Sequence, residues 1–155
     1  MKQFARLLNG VAVLILTASP TFAADAKPMI GLKAPPISLP DVVTGKTVST
    51  EDFADAKGVV VVFLGNQCPL ARLYATRVQE LADEFAPKGI RVVAINPNYQ
   101  DSIAETAEFA KEFKLSIPLL KDQDQVVADA ISAQRTPEVF LLDQHRIIRY
   151  QGRID

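Results

Sequence analysis

The sequence predicts an α/β fold in which a central mixed β-sheet is flanked by helices. Two apolar runs without alternation, residues 59–64 (Val-Val-Val-Val-Phe-Leu) and 90–95 (broken only by Arg91), read as strands buried on both faces, the mark of a parallel sheet. A stretch with apolar residues three and four apart follows each run, and the chain closes on a hairpin pattern, which adds antiparallel pairing. With 155 residues, 48% hydrophobic and 23% charged, there is room for one core and one domain.

The first two dozen residues differ in kind. Lys2 and Arg6 precede an apolar stretch over 7–18, and residues 19–24 supply a proline and small side chains. That is the layout of a secretory signal peptide, with Thr21 and Ala23 placing the cut between Ala23 and Ala24. Residues 1–23 are therefore expected to be a signal peptide, 24–29 a flexible lead-in and 30–155 the folded domain. The apolar run is interrupted by Asn9, Gly10 and Thr17 and falls short of the roughly 20 residues that span a bilayer, so no stable membrane insertion is expected after cleavage. An exported protein, periplasmic or otherwise extracytoplasmic, follows.

Within the domain, Pro35 and Pro36 favour an extended start, and residues 37–43 and 47–48 read as two short strands around Thr44-Gly45-Lys46. The strand at 59–64 is followed by Gly65-Asn66-Gln67-Cys68, and Pro69 then sits where a helix tolerates proline best, in its first turn. Leu70, Leu73, Tyr74, Arg77, Val78, Leu81 and Phe85 predict one apolar stripe on a helix that Pro87-Lys88-Gly89 stops. After the strand at 90–95, Asn96-Pro97-Asn98 turns out of the sheet, Asp101 or Ser102 can cap the next helix, and Ile103, Ala107, Ala110 and Phe113 mark its face. A short extended segment containing Pro118, a small helix ending near Ile131, a strand at 138–142 and its return at 146–151 complete the pattern.

Charge and composition exclude several function classes. Seventeen basic residues against eighteen acidic leave a net charge of -1, so no sequence-wide field recruits nucleic acid, and Arg146, Arg149 and Arg153 read as a solvated edge. His145 is the only histidine and lies in a hairpin turn, so neither a Cys/His dyad nor a zinc site can be assembled. Asp122, Asp124 and Asp129 read as a solvated cap and helix face and not as a calcium loop. No metal and no cofactor is expected. What remains is Cys68, the single cysteine, placed at the end of a buried strand and the mouth of a helix, where unpaired amides and the helix dipole favour a thiolate nucleophile.

The segments Gly31-Leu32-Lys33-Ala34-Pro35, Cys68-Pro69-Leu70-Ala71-Arg72, Ile95-Asn96-Pro97-Asn98 and Thr136-Pro137-Glu138-Val139-Phe140-Leu141-Leu142-Asp143, with the strand at 59–64, resemble the redoxin domain. That domain is shared by the alkyl hydroperoxide reductase and thiol-specific antioxidant family and by exported thioredoxin-like proteins. The resemblance covers nearly all of the chain after the leader. It implies a thioredoxin-like fold, a cis bond at Thr136–Pro137 facing the cysteine, and a substrate groove formed by Gln67, Pro69, Thr136 and Pro137. It also brings Arg135 to where a cation could activate Cys68.

Three departures qualify that likeness. Gly65 stands where thioredoxin-like reductases carry the first cysteine of Cys-x-x-Cys, so no dithiol cycle runs within one chain. Gly65 and Val61 also replace the threonine and proline that precede the reactive cysteine of typical peroxiredoxins. The sequence ends at Asp155 without the helix that closes thioredoxin folds, so either the natural chain continues or one sheet face is open. The expected activity is that of an exported thiol-dependent oxidoreductase, either a one-cysteine peroxiredoxin-like antioxidant or a thiol–disulfide exchange protein. Its partner is a small-molecule peroxide or a thiol or disulfide protein. The alternative is a degenerate, non-enzymatic thioredoxin-fold module that binds a partner.

Overall fold

The computed structural model describes residues 28–155. The segment expected to be a signal peptide, 1–23, and most of the expected lead-in lie outside the described residues.

A short antiparallel ribbon, β1 (Ser38–Pro40) with β2 (Thr47–Ser49), stands apart from the main sheet, and a 3₁₀ turn at Thr50–Phe53 carries the chain onward. The main sheet is built from β3 (Gly58–Phe63), β4 (Ile90–Asn96), β5 (Leu119–Lys121), β6 (Glu138–Asp143) and β7 (Ile148–Gly152), ordered β5-β4-β3-β6-β7. Strands β3, β4 and β5 run parallel, whereas β6 and β7 are antiparallel additions, so the sheet is mixed. Helices α1 (Pro69–Phe85), α2 (Ile103–Glu112) and α3 (Val126–Ala130) supply the flanks. β3 occupies the centre because Val59, Val61, Val62 and Phe63 are all fully buried, leaving neither face of it polar. The two cores lie on opposite faces of this sheet. Phe63 and Phe140 meet edge to face in one, with Ile37, Ile131 and Ile148, and α1 and α2 pack over Val62, Ala94 and Leu119 in the other.

The stripe expected on α1 is displaced. Its buried residues are Ala71, Ala75, Val78 and Ala82, while Leu70 and Leu73 are 56% and 72% exposed. Alanines occupy the contact line because α1 lies close against the sheet, and close approach leaves no volume for leucine. Leu81 and Phe85 instead line an apolar trough of about 380 Å³ with Val60, Val139 and Leu141.

Helix α2 is corrected in the same way. Its buried residues are Thr106, Phe109 and Ala110, and Ile103 is exposed. The cap is Ser102, whose hydroxyl accepts from the Glu105 amide while Glu105 accepts from the Ser102 amide, a reciprocal capping box. Asp101 is left free to turn inward. Asp122 is likewise not solvated: it is 1% exposed and accepts from the Ala128 amide at 2.8 Å, tying β5 to α3. Arg146, read above as part of a solvated edge, donates to the Thr50 and Phe53 carbonyls at 3.2 and 2.6 Å and fixes the 3₁₀ turn to the hairpin. Among the described residues no helix is long and apolar enough to cross a membrane.

Candidate functional site

The loop between β3 and α1 is held from behind by a buried polar network. Asn66 donates its amide N–H to Asp101 at 2.9 Å and its side-chain N–H to Thr106 at 3.1 Å. Asn96, at the end of β4, donates to Asn66, Asp101 and Thr106 at 2.9 to 3.3 Å. Lys121, at the end of β5 and only 2% exposed, donates to Asn96 at 3.3 Å and to the Asn98 carbonyl. Burial pushes the Lys121 ammonium below its ordinary range, and the nearby Asp101 and Asp122 carboxylates oppose that shift. Every buried side-chain polar atom described is paired, as a low-dielectric site requires.

In front of this support stands Cys68. It is the residue at the N-cap of α1, half-buried, and its side chain caps nothing. Among the described residues the amides of Leu70 and Ala71 in the first turn have no partner, and Pro69 lacks an N–H altogether, so the helix mouth is open to an anion. The thiol instead donates to the Thr136 carbonyl at 3.1 Å. The Thr136–Pro137 bond is cis, as the resemblance implied, and the Thr136 N–H has no partner among the described residues.

The remaining expected site residues divide. Thr136, Pro137 and Arg135 line a cavity of about 330 Å³ together with Leu70, Tyr74 and Arg153; Cys68 does not line it and adjoins it through its bond to Thr136. Gln67 is exposed on the other side of the loop, where it lines a separate cavity of about 440 Å³ with Arg72 and the α2 glutamates. Pro69 is exposed at the first helical position and lines neither cavity. Arg135 makes no side-chain hydrogen bond to Cys68 or to any carboxylate described, so its expected activating contact is not made in this state. Reading the residues one at a time missed the Asn66, Asn96, Asp101, Thr106 and Lys121 network. The available signal was a set of polar residues at the carboxyl ends of successive strands, where the ends of a parallel sheet converge.

Gly65 has a physical reason to stay glycine. A Cβ there would overlap the Asn98 side-chain amide and lie 3.3 Å from Thr136 Oγ1. Restoring a Cys-x-x-Cys pair therefore requires Asn98 to give up its 3.2 Å bond to Asp101. Gly65→Ala is expected to cost about 1–2 kcal/mol in urea unfolding, most of it regained in the Gly65→Ala/Asn98→Gly pair. Strictly additive losses would show that the two positions do not compete for the same space.

Comparison with known proteins places this geometry. Residues 30–151 match the AhpC/TSA family. The chain is 24% identical over 149 residues to thiol-disulfide oxidoreductase ResA of Halalkalibacterium halodurans, covering 93% of this chain and 82% of that protein. A hypothetical protein of Sinorhizobium meliloti is similar in structure with a TM-score of 0.78 and 31% identity, over 83% of this chain and 73% of that one. A thiol:disulfide interchange protein DsbE of Chlorobium tepidum shares the fold at a TM-score of 0.73 and 20% identity, over 81% of this chain and 86% of that one.

Proposed function

We propose, on the premise that this chain belongs to the AhpC/TSA family, that it is a thiol–disulfide exchange protein working through Cys68 alone. The observation that carries this reading is the placement of an accessible thiol between the open mouth of α1 and the Thr136 carbonyl. Only the protonated thiol can make that hydrogen bond. When the proton leaves, the sulfur turns to the Leu70 and Ala71 amides, and Thr136 is left with a free C=O and a free N–H. Those two groups suit an extended peptide, which pairs with exposed backbone as an added strand does.

In the reaction, the Cys68 thiolate attacks one sulfur of a client disulfide. The client S–S bond breaks, a Cys68–client S–S bond forms, and the other client sulfur departs as a thiolate carrying the electron pair. Cys68 sulfur is oxidised and the departing sulfur reduced. Because the chain holds one cysteine, an outside thiol must resolve the mixed disulfide and restore Cys68. Peroxide reduction has less support, since Gly65 supplies no hydroxyl in the loop before the sulfur. We assign the reaction to an extracytoplasmic compartment on the strength of the leader pattern over residues 1–23.

The test is stopped-flow mixing of the mature protein with 2-hydroxyethyl disulfide and, separately, with hydrogen peroxide. Mass spectrometry identifies the product. The folded protein is expected to form a one-to-one mixed disulfide at least roughly tenfold faster than the urea-unfolded chain, with peroxide giving no comparable gain. Equal folded and unfolded disulfide rates would overturn the proposal. A peroxide gain exceeding the disulfide gain would replace it with the peroxidase reading.

A further inference from the structure

We infer that the cavity beside Cys68 and Thr136 selects small disulfides that carry carboxylates, with Arg135 and Arg153 as the pair that holds them; this rests on the exchange reading above. The cavity, about 330 Å³, is large enough for one arm of a small peptide. Leu70, Tyr74 and Pro137 give it apolar walls, and the unpaired Thr136 N–H offers a backbone donor.

Its charge is what distinguishes it. Among the described residues, Arg72, Arg77 and Arg149 each pair with a carboxylate, and Arg146 is spent on backbone carbonyls. Arg91, Arg135 and Arg153 have no such partner, and the last two both line this cavity. Two unpaired guanidinium groups lining one cavity with a free backbone N–H offer forked donors to carboxylates. Asp155 lines the same cavity, but neither guanidinium makes an ion pair with it.

The opposite side of the Cys68 loop carries the reverse sign. There Glu105, Glu108 and Glu112 line the cavity next to Gln67, with Arg72 paired to Glu112. An anionic disulfide is repelled from that side and drawn to the arginine side, which orients it with its sulfur toward Cys68. The chemical step is the exchange already described: the Cys68 thiolate takes one half of the disulfide, and the other half leaves as a thiolate.

Three disulfide reagents of different charge test the inference: glutathione disulfide (anionic), 2-hydroxyethyl disulfide (neutral) and cystamine (cationic). Each rate on the folded protein is divided by the rate on the urea-unfolded chain, which removes the reagent's own reactivity. At low ionic strength the normalised rate for glutathione disulfide is expected to exceed that for cystamine by roughly five- to tenfold, and to converge with it as salt is raised. The Arg135→Ala/Arg153→Ala variant should bring the ratio near one, and Arg135→Glu/Arg153→Glu should invert it. Both positions are exposed, so circular dichroism should show an unchanged fold. Equal normalised rates in the native protein, or a preference that survives both arginine variants, overturns this inference alone. No folded-state gain with any of the three reagents overturns the exchange reading together with it.

Discussion

Cys68→Ser is expected to abolish disulfide exchange, by at least about a thousandfold, while leaving the protein folded and slightly more stable. The activity falls because a hydroxyl has no base nearby to deprotonate it: the only histidine, His145, sits in the hairpin turn between β6 and β7, beyond the far end of β6 from Cys68. Stability moves the other way. The native side chain caps nothing at the start of a 17-residue helix. Serine is among the better N-caps and should accept from an otherwise unpaired amide, a gain of up to about 1 kcal/mol. A cysteine at a position where serine folds better marks selection for the sulfur's reactivity. Denaturant unfolding alongside an exchange assay reads both effects. Retained partner binding or phenotype in the serine variant would favour the non-enzymatic module.

Lys121→Met is expected to produce the largest loss of stability, about 2 kcal/mol. Lys121 is 2% exposed and donates to the Asn96 side chain and the Asn98 carbonyl, and methionine would remove both donations from a dry site. The loss should be felt at the site, because Asn66 hangs on Asp101 and Asn96, and Asn66 positions the turn that presents Cys68. Slower disulfide exchange is expected even at temperatures where the variant remains folded. The pH dependence has a defined sign. With its folded-state value held below the ordinary 10.5, Lys121 gives up a proton that the unfolded chain still binds, so native stability rises with pH across that interval. The variant should lack that rise. A change below about 1 kcal/mol in urea unfolding, with exchange unaltered, would mean that the network does not support the loop.

The strands and the reactive turn were legible in the sequence because each has a local cause. Four consecutive valines can be satisfied only between two covered faces, and Cys-Pro after such a run can only open a helix. The proline bend at Thr136–Pro137 was legible only through family resemblance, since the isomer of an X-Pro bond depends on distant packing. The helix faces were misread for a different reason. Periodicity identifies an apolar stripe, but it does not say which stripe touches the sheet, and on α1 the smaller alanines took that place while Leu70 and Leu73 stayed outside. The polar network was harder to read because its members come from separate segments. Asn66, Asn96, Asp101 and Lys121 each look like ordinary turn or surface residues until the sheet brings their strand ends together.

The central position of β3 governs the order in which the molecule can assemble. Its parallel partner β4 arrives one helix later, but the strand on its other side is β6, with Gly58 opposite Asp143 near the end of the sequence. A chain emerging from the ribosome therefore cannot complete its middle layer until β6 has been synthesised. High contact order of this kind slows spontaneous closure and keeps nascent intermediates open longer.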